Sequence, residues 1–395
     1  MRVPITRPWF DEAEKKNIVK PLETGWVVQG PYVAEFERKM AAFVGADYAL
    51  ATSNCTTALH VALLALGIGK GDKVILPSFT FIASANVIEY VGAVPLFCDI
   101  DLHTYSIDVK MARRLLEADS KGEIKAIMPV NLFGLCADLP GIMALAGEFG
   151  VKVIEDSACG LGGFVQGKHS GTFGHAGCFS FHPRKAITTG EGGMVVTDDP
   201  EIARRVNSLR DHGGSKTDRE RHLSKGAFAL PDYDVLGFNY RMTDLQGAIG
   251  SSQMDKLPEI LAERGKIAHY YDGDLSETGF LIPPVIPKGY VSGYQAYVAL
   301  FTGGHDIDDL TVEKIDEISD ERNKFMASLE ESGVSVRQGT HAVHVQGYYR
   351  DKYHIKKDSF IKSYAAEGLT VALPLFCGMS AEEYDYVIRK IREFR

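Results

Sequence analysis

Phe179-Ser180-Phe181-His182-Pro183-Arg184-Lys185-Ala186-Ile187-Thr188-Thr189-Gly190-Glu191-Gly192-Gly193-Met194 is the segment from which the rest of the chain can be read. Aromatic and small residues lead in, one lysine sits in the middle, and a turn rich in threonine and glycine follows. On its own Lys185 reads as a solvated surface group, as most lysines are. Here the aromatic neighbours desolvate an amine, and the glycines let backbone approach a ligand closely. A lysine whose ammonium is destabilised becomes a nucleophile toward carbonyls.

Imine formation of this kind is how enzymes hold pyridoxal phosphate. That cofactor needs three companions: a phosphate cradle, an acid facing its pyridine nitrogen, and a flat side chain over its ring. In Val151-Lys152-Val153-Ile154-Glu155-Asp156-Ser157-Ala158-Cys159-Gly160 an apolar strand ends in carboxylates, at the sheet edge where open α/β folds bind ligands. Asp156 is the acid for the ring nitrogen, and Glu155 points to the opposite face. As an isolated motif, Asp156 reads more readily as a helix cap. Ala51-Thr52-Ser53-Asn54-Cys55-Thr56-Thr57 opens a strongly helical segment, so free N–H groups of Cys55 and Thr56 face an anion there. Ordinary capping explains the same small polar residues. The strand Lys73-Val74-Ile75-Leu76-Pro77 leads to Phe79 and Phe81 beside the same edge. Phe81 is the ring cover unless it is core, the commoner fate of alternating aromatics.

The order and wording of these segments resemble the DegT/DnrJ/EryC1/StrS family of pyridoxal-phosphate sugar aminotransferases, within fold type I, over nearly the whole chain. Gly25-Trp26-Val27-Val28-Gln29-Gly30-Pro31, Asp99-Ile100-Asp101 with Thr104-Tyr105, and Gly237-Phe238-Asn239-Tyr240-Arg241-Met242-Thr243-Asp244-Leu245-Gln246 carry it further. Several such stretches in the right order are more specific than any one.

The resemblance implies that Lys185 binds pyridoxal 5'-phosphate covalently and later shuttles protons, with pyridoxamine phosphate arising during turnover, and that Asp156 holds the pyridinium. It also implies that Ser180 joins Thr56 on the phosphate and that Asn239 reaches the phosphate of a neighbouring subunit, in a homodimer with shared active sites. The substrates it implies are L-glutamate, leaving as 2-oxoglutarate, and a nucleotide-linked keto sugar. Gln29, His341 and His344 are the residues to face that sugar, the last two as alternatives to a structural role. Where the family often carries a glutamine near the cofactor's phenolic oxygen, this chain has Cys159, a weak hydrogen-bond donor. Arg241 is an anion contact or a structural ion pair. Two other readings stand beside this one: a sugar dehydratase, whose relatives typically replace the lysine with histidine, and a regulatory protein on the same fold. Lys185 argues against the first, and the complete set of lysine, aspartate and phosphate cradle against the second.

Composition fits such an enzyme. The 395 residues, 45% hydrophobic, suffice for a large core and a smaller one. A net charge of −9 offers no case for nucleic acid as a partner. The six cysteines are scattered with no C-x-x-C pair, and no secretory-type leader opens the sequence, so a reducing, cytoplasmic setting is expected. The apolar run at 58–66 is too short for a bilayer, so no membrane partner is expected. The twelve histidines form no metal-ligand spacing. Gly162-Gly163-Phe164-Val165-Gln166-Gly167-Lys168-His169 approaches a nucleotide-phosphate loop, but His169 replaces the required hydroxyl residue.

Apolar strands alternating with helices predict an α/β fold whose large domain is a mostly parallel seven-stranded sheet flanked by helices, with a smaller C-terminal α/β domain. The strands fall at 48–52, 73–77, 94–98, 125–130, 151–155, 176–181 and 193–197, and the domains at 1–250 and 251–395. The polar stretch 209–225 reads as a mobile loop, solvated or closing over a nucleotide. A helix over 243–275, broken or kinked near Pro258, leads to a strand at 294–301, an acidic insertion at 302–318 with no functional signal, and helices at 319–332 and 380–394.

Overall fold

The computed structural model describes residues 1–215 and 232–394. Seven strands form the main sheet: β1 (Tyr48–Thr52), β2 (Lys73–Pro77), β3 (Val94–Cys98), β4 (Ile124–Ile127), β5 (Lys152–Asp156), β6 (Ala176–Ser180) and β7 (Gly193–Thr197). Their spatial order is β1-β7-β6-β5-β4-β2-β3. β7 runs antiparallel to both neighbours, and the other pairings are parallel. Burial on both faces makes such strands read as continuous apolar runs, which is why all seven were legible. Along β5 the alternation is explicit: Ile154 packs with Leu50, Cys178 and Val195 on one face, while Val153 joins Ile75 and Ile127 on the other.

Helices cover both faces. In chain order they include α1 (Glu12–Thr24), α2 (Pro31–Val44), α3 (Cys55–Ala65), α4 (Ile82–Tyr90), α5 (Val109–Glu117), α6 (Leu139–Phe149), α7 (Pro200–Arg210), α8 (Asp244–Ser276), α9 (Val312–Glu331), α10 (Ile361–Leu369) and α11 (Ala381–Arg392). A second antiparallel sheet, β8 (Leu281–Ile282), β9 (Tyr297–Phe301) and β10 (Thr370–Leu373) in that spatial order, packs with α9, α10 and α11 around Phe301, Phe325 and Leu369.

The structure differs from the sequence expectation at four places. α8 is one unbroken helix of 33 residues through Pro258. Losing one backbone bond there costs roughly 3 kcal/mol. Burial of Met254, Leu257 and Ile260 in one core and of Ala268, Tyr271 and Leu275 in another offsets it. The strand expected from 294 starts at Tyr297, because Tyr294 adopts a left-handed backbone with φ 42°. α9 starts seven residues before 319, inside the presumed insertion. Thr311 caps it by accepting from the Lys314 N–H, and Ile315 and Ile318 are fully buried. Of the expected loop at 209–225, Leu209 and Arg210 end α7, and residues 211–215 are tied down by His212 N–H to Phe238 O (2.9 Å) and Ser215 N–H to Asp232 O (2.8 Å). Its remainder, 216–225, lies outside the described residues.

Candidate active site

β1, β2, β5 and β6 are mutually parallel, so their carboxyl ends share one edge of the sheet. Each delivers one part of the site there.

From β1 the chain turns through Ser53 into α3. Asn54 caps the helix: its Oδ1 accepts from the Thr57 N–H at 2.9 Å, and its own N–H donates to Thr57 Oγ1 at 3.2 Å. Capping and cradle therefore coexist. The cap satisfies Thr57 and leaves the N–H groups of Cys55 and Thr56 with no acceptor among the described residues. This positive helix end lies against β7 so closely that a Cβ on Gly193 would sit 2.3 Å from the Asn54 carbonyl and 2.6 Å from the Cys55 nitrogen. Free N–H groups at a helix terminus suit a phosphate. Burial raises the Cys55 thiol well above its ordinary pKa, so it stays neutral.

From β5 comes Asp156, the last residue of the strand and buried. No helix follows it, so it is not a helix cap. Its Oδ2 accepts from Ser84 Oγ at 2.7 Å and its Oδ1 from the Ala158 N–H at 3.1 Å. Burial raises its pKa, opposed by these two hydrogen bonds and by Lys185. Glu155 faces the other way, accepting from Asn131 Nδ2 and from the N–H groups of Gly171, Phe173 and Gly174, a structural hub behind the sheet.

From β6 the hairpin to β7 bulges into a loop that carries Lys185. The loop is pinned at its base: Phe181 N–H donates to Gly192 O, and the Thr189 N–H and Thr188 Oγ1 both donate to Phe181 O. Gln295 Nε2 holds its top through Arg184 O at 2.8 Å. Lys185 Nζ points back at Cys159 Sγ, 3.0 Å away. Burial disfavours the ammonium, as the sequence suggests, but the contact with Cys159 and the charge of Asp156 outweigh it, so the pKa stands above the ordinary lysine value. Ser180 ends β6 half-buried.

From β2 the chain passes Phe79 and Thr80 to Phe81, the residue before α4. Phe79 is core, whereas Phe81 is 61% exposed. The segment Phe79–Thr80 pairs with His341–Ala342 from the second domain. This separates the two histidines. His341 is exposed, with Nδ1 3.5 Å from Glu367 Oε1. His344 is fully buried, with Nδ1 2.7 Å from Ser78 Oγ and Nε2 3.1 Å from Lys357 O, so no face is left for a sugar. Burial also lowers its pKa and keeps it neutral.

The segment before α8 lies over the α3 terminus through Ser53 N–H to Tyr240 O at 2.8 Å. Asn239 beside it is exposed, bridged by backbone to Asp211. Arg241 makes a half-buried ion pair with Asp211, the structural alternative. Gln29 is half-buried near the start of α8, where Asp244 Oδ1 accepts from the Gly30 and Val33 N–H groups. Sequence reasoning missed Ser84, the partner of Asp156, and Gly193. Nothing in a lone helix serine or a third nearby glycine marks either. Taken together, a free helix terminus, a buried carboxylate and a lysine amine on one edge fit the phosphate, ring nitrogen and aldehyde of pyridoxal phosphate.

Comparison with known proteins agrees. The model of the DegT/DnrJ/EryC1/StrS aminotransferase family matches residues 8–392. GDP-perosamine synthase of Caulobacter vibrioides is 35% identical over 390 residues, covering 98% of this chain and 96% of its own. Among solved structures, a DegT DnrJ EryC1 StrS aminotransferase from Brucella abortus superposes with a TM-score of 0.84 at 30% identity, covering 97% of this chain and 95% of its own. The PLP form of Spr1654 from Streptococcus pneumoniae, an assigned sugar aminotransferase, superposes with a TM-score of 0.87 at 25% identity, covering 100% and 98%.

Proposed function

Because this chain belongs to the DegT/DnrJ/EryC1/StrS aminotransferase family and is a pyridoxal-phosphate-dependent sugar aminotransferase, we propose that it moves the amino group of L-glutamate to the keto carbon of a nucleotide-linked sugar. The observation that carries the site assignment is the meeting of Lys185 Nζ, the Asp156 carboxylate and the free α3 terminus at one sheet edge.

When bound, the cofactor supplies a conjugated ring that draws electrons from the carbon bearing the amino group. The N–H groups of Cys55 and Thr56 and the Ser180 hydroxyl bind the phosphate, and the positive end of α3 favours its charge. Asp156 accepts from the ring nitrogen and keeps its proton in place. Phe81 covers one face of the ring. Lys185 Nζ would hold the cofactor's aldehyde end and is the amine placed to give or take a proton there. Cys159 stands beside Nζ and offers the phenolic side only a weak donor. His341 and Gln29 are the proposed sugar contacts. The exposed side chain of Asn239 supports a homodimer in which it reaches the phosphate in the partner's site.

The test is reduction of the yellow protein with borohydride, followed by peptide mapping. The cofactor mass is expected on the peptide containing Lys185. A label on another lysine refutes the assignment.

A further inference from the structure

Behind Asp156 lies a chain of two hydroxyls. Ser84, in the first turn of α4, donates to Asp156 Oδ2 at 2.7 Å, and Thr80 Oγ1 lies 2.8 Å from Ser84 Oγ. Thr80 and Ser84 are fully buried and Asp156 nearly so. An ionised carboxylate only accepts, so the Ser84 proton is committed to Asp156 and the Thr80 proton to Ser84. The chain is thus polarised toward the charge, the arrangement in which successive hydrogen bonds reinforce one another. Its far end does not drift, because Thr80 is paired through backbone with His341 and Phe79 with Ala342. With Oδ1 receiving the Ala158 N–H, both carboxylate oxygens are held from the protein side.

We propose that Ser84 and Thr80 are positioning residues that orient the Asp156 carboxylate and keep it ionised while it faces the cofactor's ring nitrogen. The inference rests on the reading of Asp156 given above. Among the other groups facing Asp156, Lys185 from the β6–β7 loop also favours its charge. The thiols of Cys55 on α3 and Cys178 on β6 are held neutral by burial. Glu155 faces away and accepts its hydrogen bonds behind the sheet. Burial raises the Asp156 pKa and the Ser84 bond lowers it, so removing Ser84 leaves the carboxyl easier to protonate.

The experiment titrates apoprotein with pyridoxal phosphate across pH for wild type, Ser84→Ala, Thr80→Val, Asp156→Asn and the double variant Ser84→Ala/Asp156→Asn. The readouts are cofactor Kd and the acid midpoint of its pH dependence. Ser84→Ala places alanine in a helix and should fold. Its acid midpoint is expected to rise by about one pH unit, the worth of one hydrogen bond to a charged group, with Thr80→Val shifting less. Asp156→Asn should weaken binding and flatten the profile, and adding Ser84→Ala to it should change nothing further. The proposal is overturned if the Ser84→Ala midpoint matches wild type while Asp156→Asn is impaired, or if the Ser84→Ala effect persists undiminished in the double variant. If Asp156→Asn itself binds like wild type, the underlying reading of Asp156 fails and the proposal falls with it.

Discussion

Replacing Gly193 with alanine tests the phosphate cradle without substituting any residue that is proposed to contact the cofactor. The added Cβ would lie 2.3 Å from the carbonyl carbon and oxygen of Asn54 and 2.6 Å from the Cys55 nitrogen, all backbone atoms that cannot swing aside. Reaching ordinary van der Waals separation requires the α3 terminus to move by about 1 Å. A shift of that size breaks hydrogen bonds from the Cys55 and Thr56 N–H groups to a bound phosphate. Two bonds to a charged group, at about 1.5 kcal/mol or more each, amount to about 3 kcal/mol, or a Kd raised more than about a hundredfold. The same overpacking lowers stability by roughly 1–3 kcal/mol. Absorbance titration of the apoprotein with pyridoxal phosphate gives the first quantity, and urea unfolding of the apoprotein the second. A folded Gly193→Ala protein that binds the cofactor within about threefold of wild type would show that β7 and the α3 terminus do not form the cradle.

Gly265 lies in α8 with nothing within 4 Å of an added Cβ, so Gly265→Ala should stabilise the protein by about 0.5–1 kcal/mol without changing turnover, and a lower melting temperature contradicts this. If Asn239 serves the partner's site, co-expressing inactive Lys185→Ala and Asn239→Ala chains should regenerate wild-type sites, and a verified heterodimer without activity sinks the shared-site reading. His169 is buried, its Nε2 accepting from the Gly162 N–H, and burial pushes its pKa down to about 4. With the folded value below the unfolded one, the unfolded chain takes up the proton first on acidification. The stability this histidine contributes is present above about pH 6.5 and lost toward pH 4, about 3 kcal/mol in all. Urea unfolding at pH 6.5, 5 and 4 should show wild type losing that much relative to His169→Gln, and parallel profiles rule it out.

The sheet was legible because strands buried on both faces leave apolar runs that end in a change of chemistry, as Val153-Ile154 ends in Glu155-Asp156 and Phe179 in Ser180. Lys185 and Asp156 were legible for the same reason: each stands just past such a run. What escaped was set by distant packing. Nothing local to Ser84 indicates that its hydroxyl meets a carboxylate 72 residues away, and nothing local to Gly193 indicates how near Asn54 comes. Proline at 258 suggested a break, but packing along both halves of α8 outweighs one missing hydrogen bond. The acidic residues before 319 hid the apolar spacing of Ile315 and Ile318 that places the start of α9.

α8 has a mechanical consequence. At 33 residues it is about 50 Å long, and its two halves are built into different cores. The N-terminal segment makes a second tie, since Val3 bonds to Gly333 and Ser335 and Ile5 to Leu375, while α1 just after it packs along α8. A clamshell rotation of one domain about the other would have to buckle this splint and peel away that strap. Opening and closing around a bulky substrate therefore falls to surface segments, and sugar specificity should be altered more readily by grafting those segments between relatives than by exchanging whole domains.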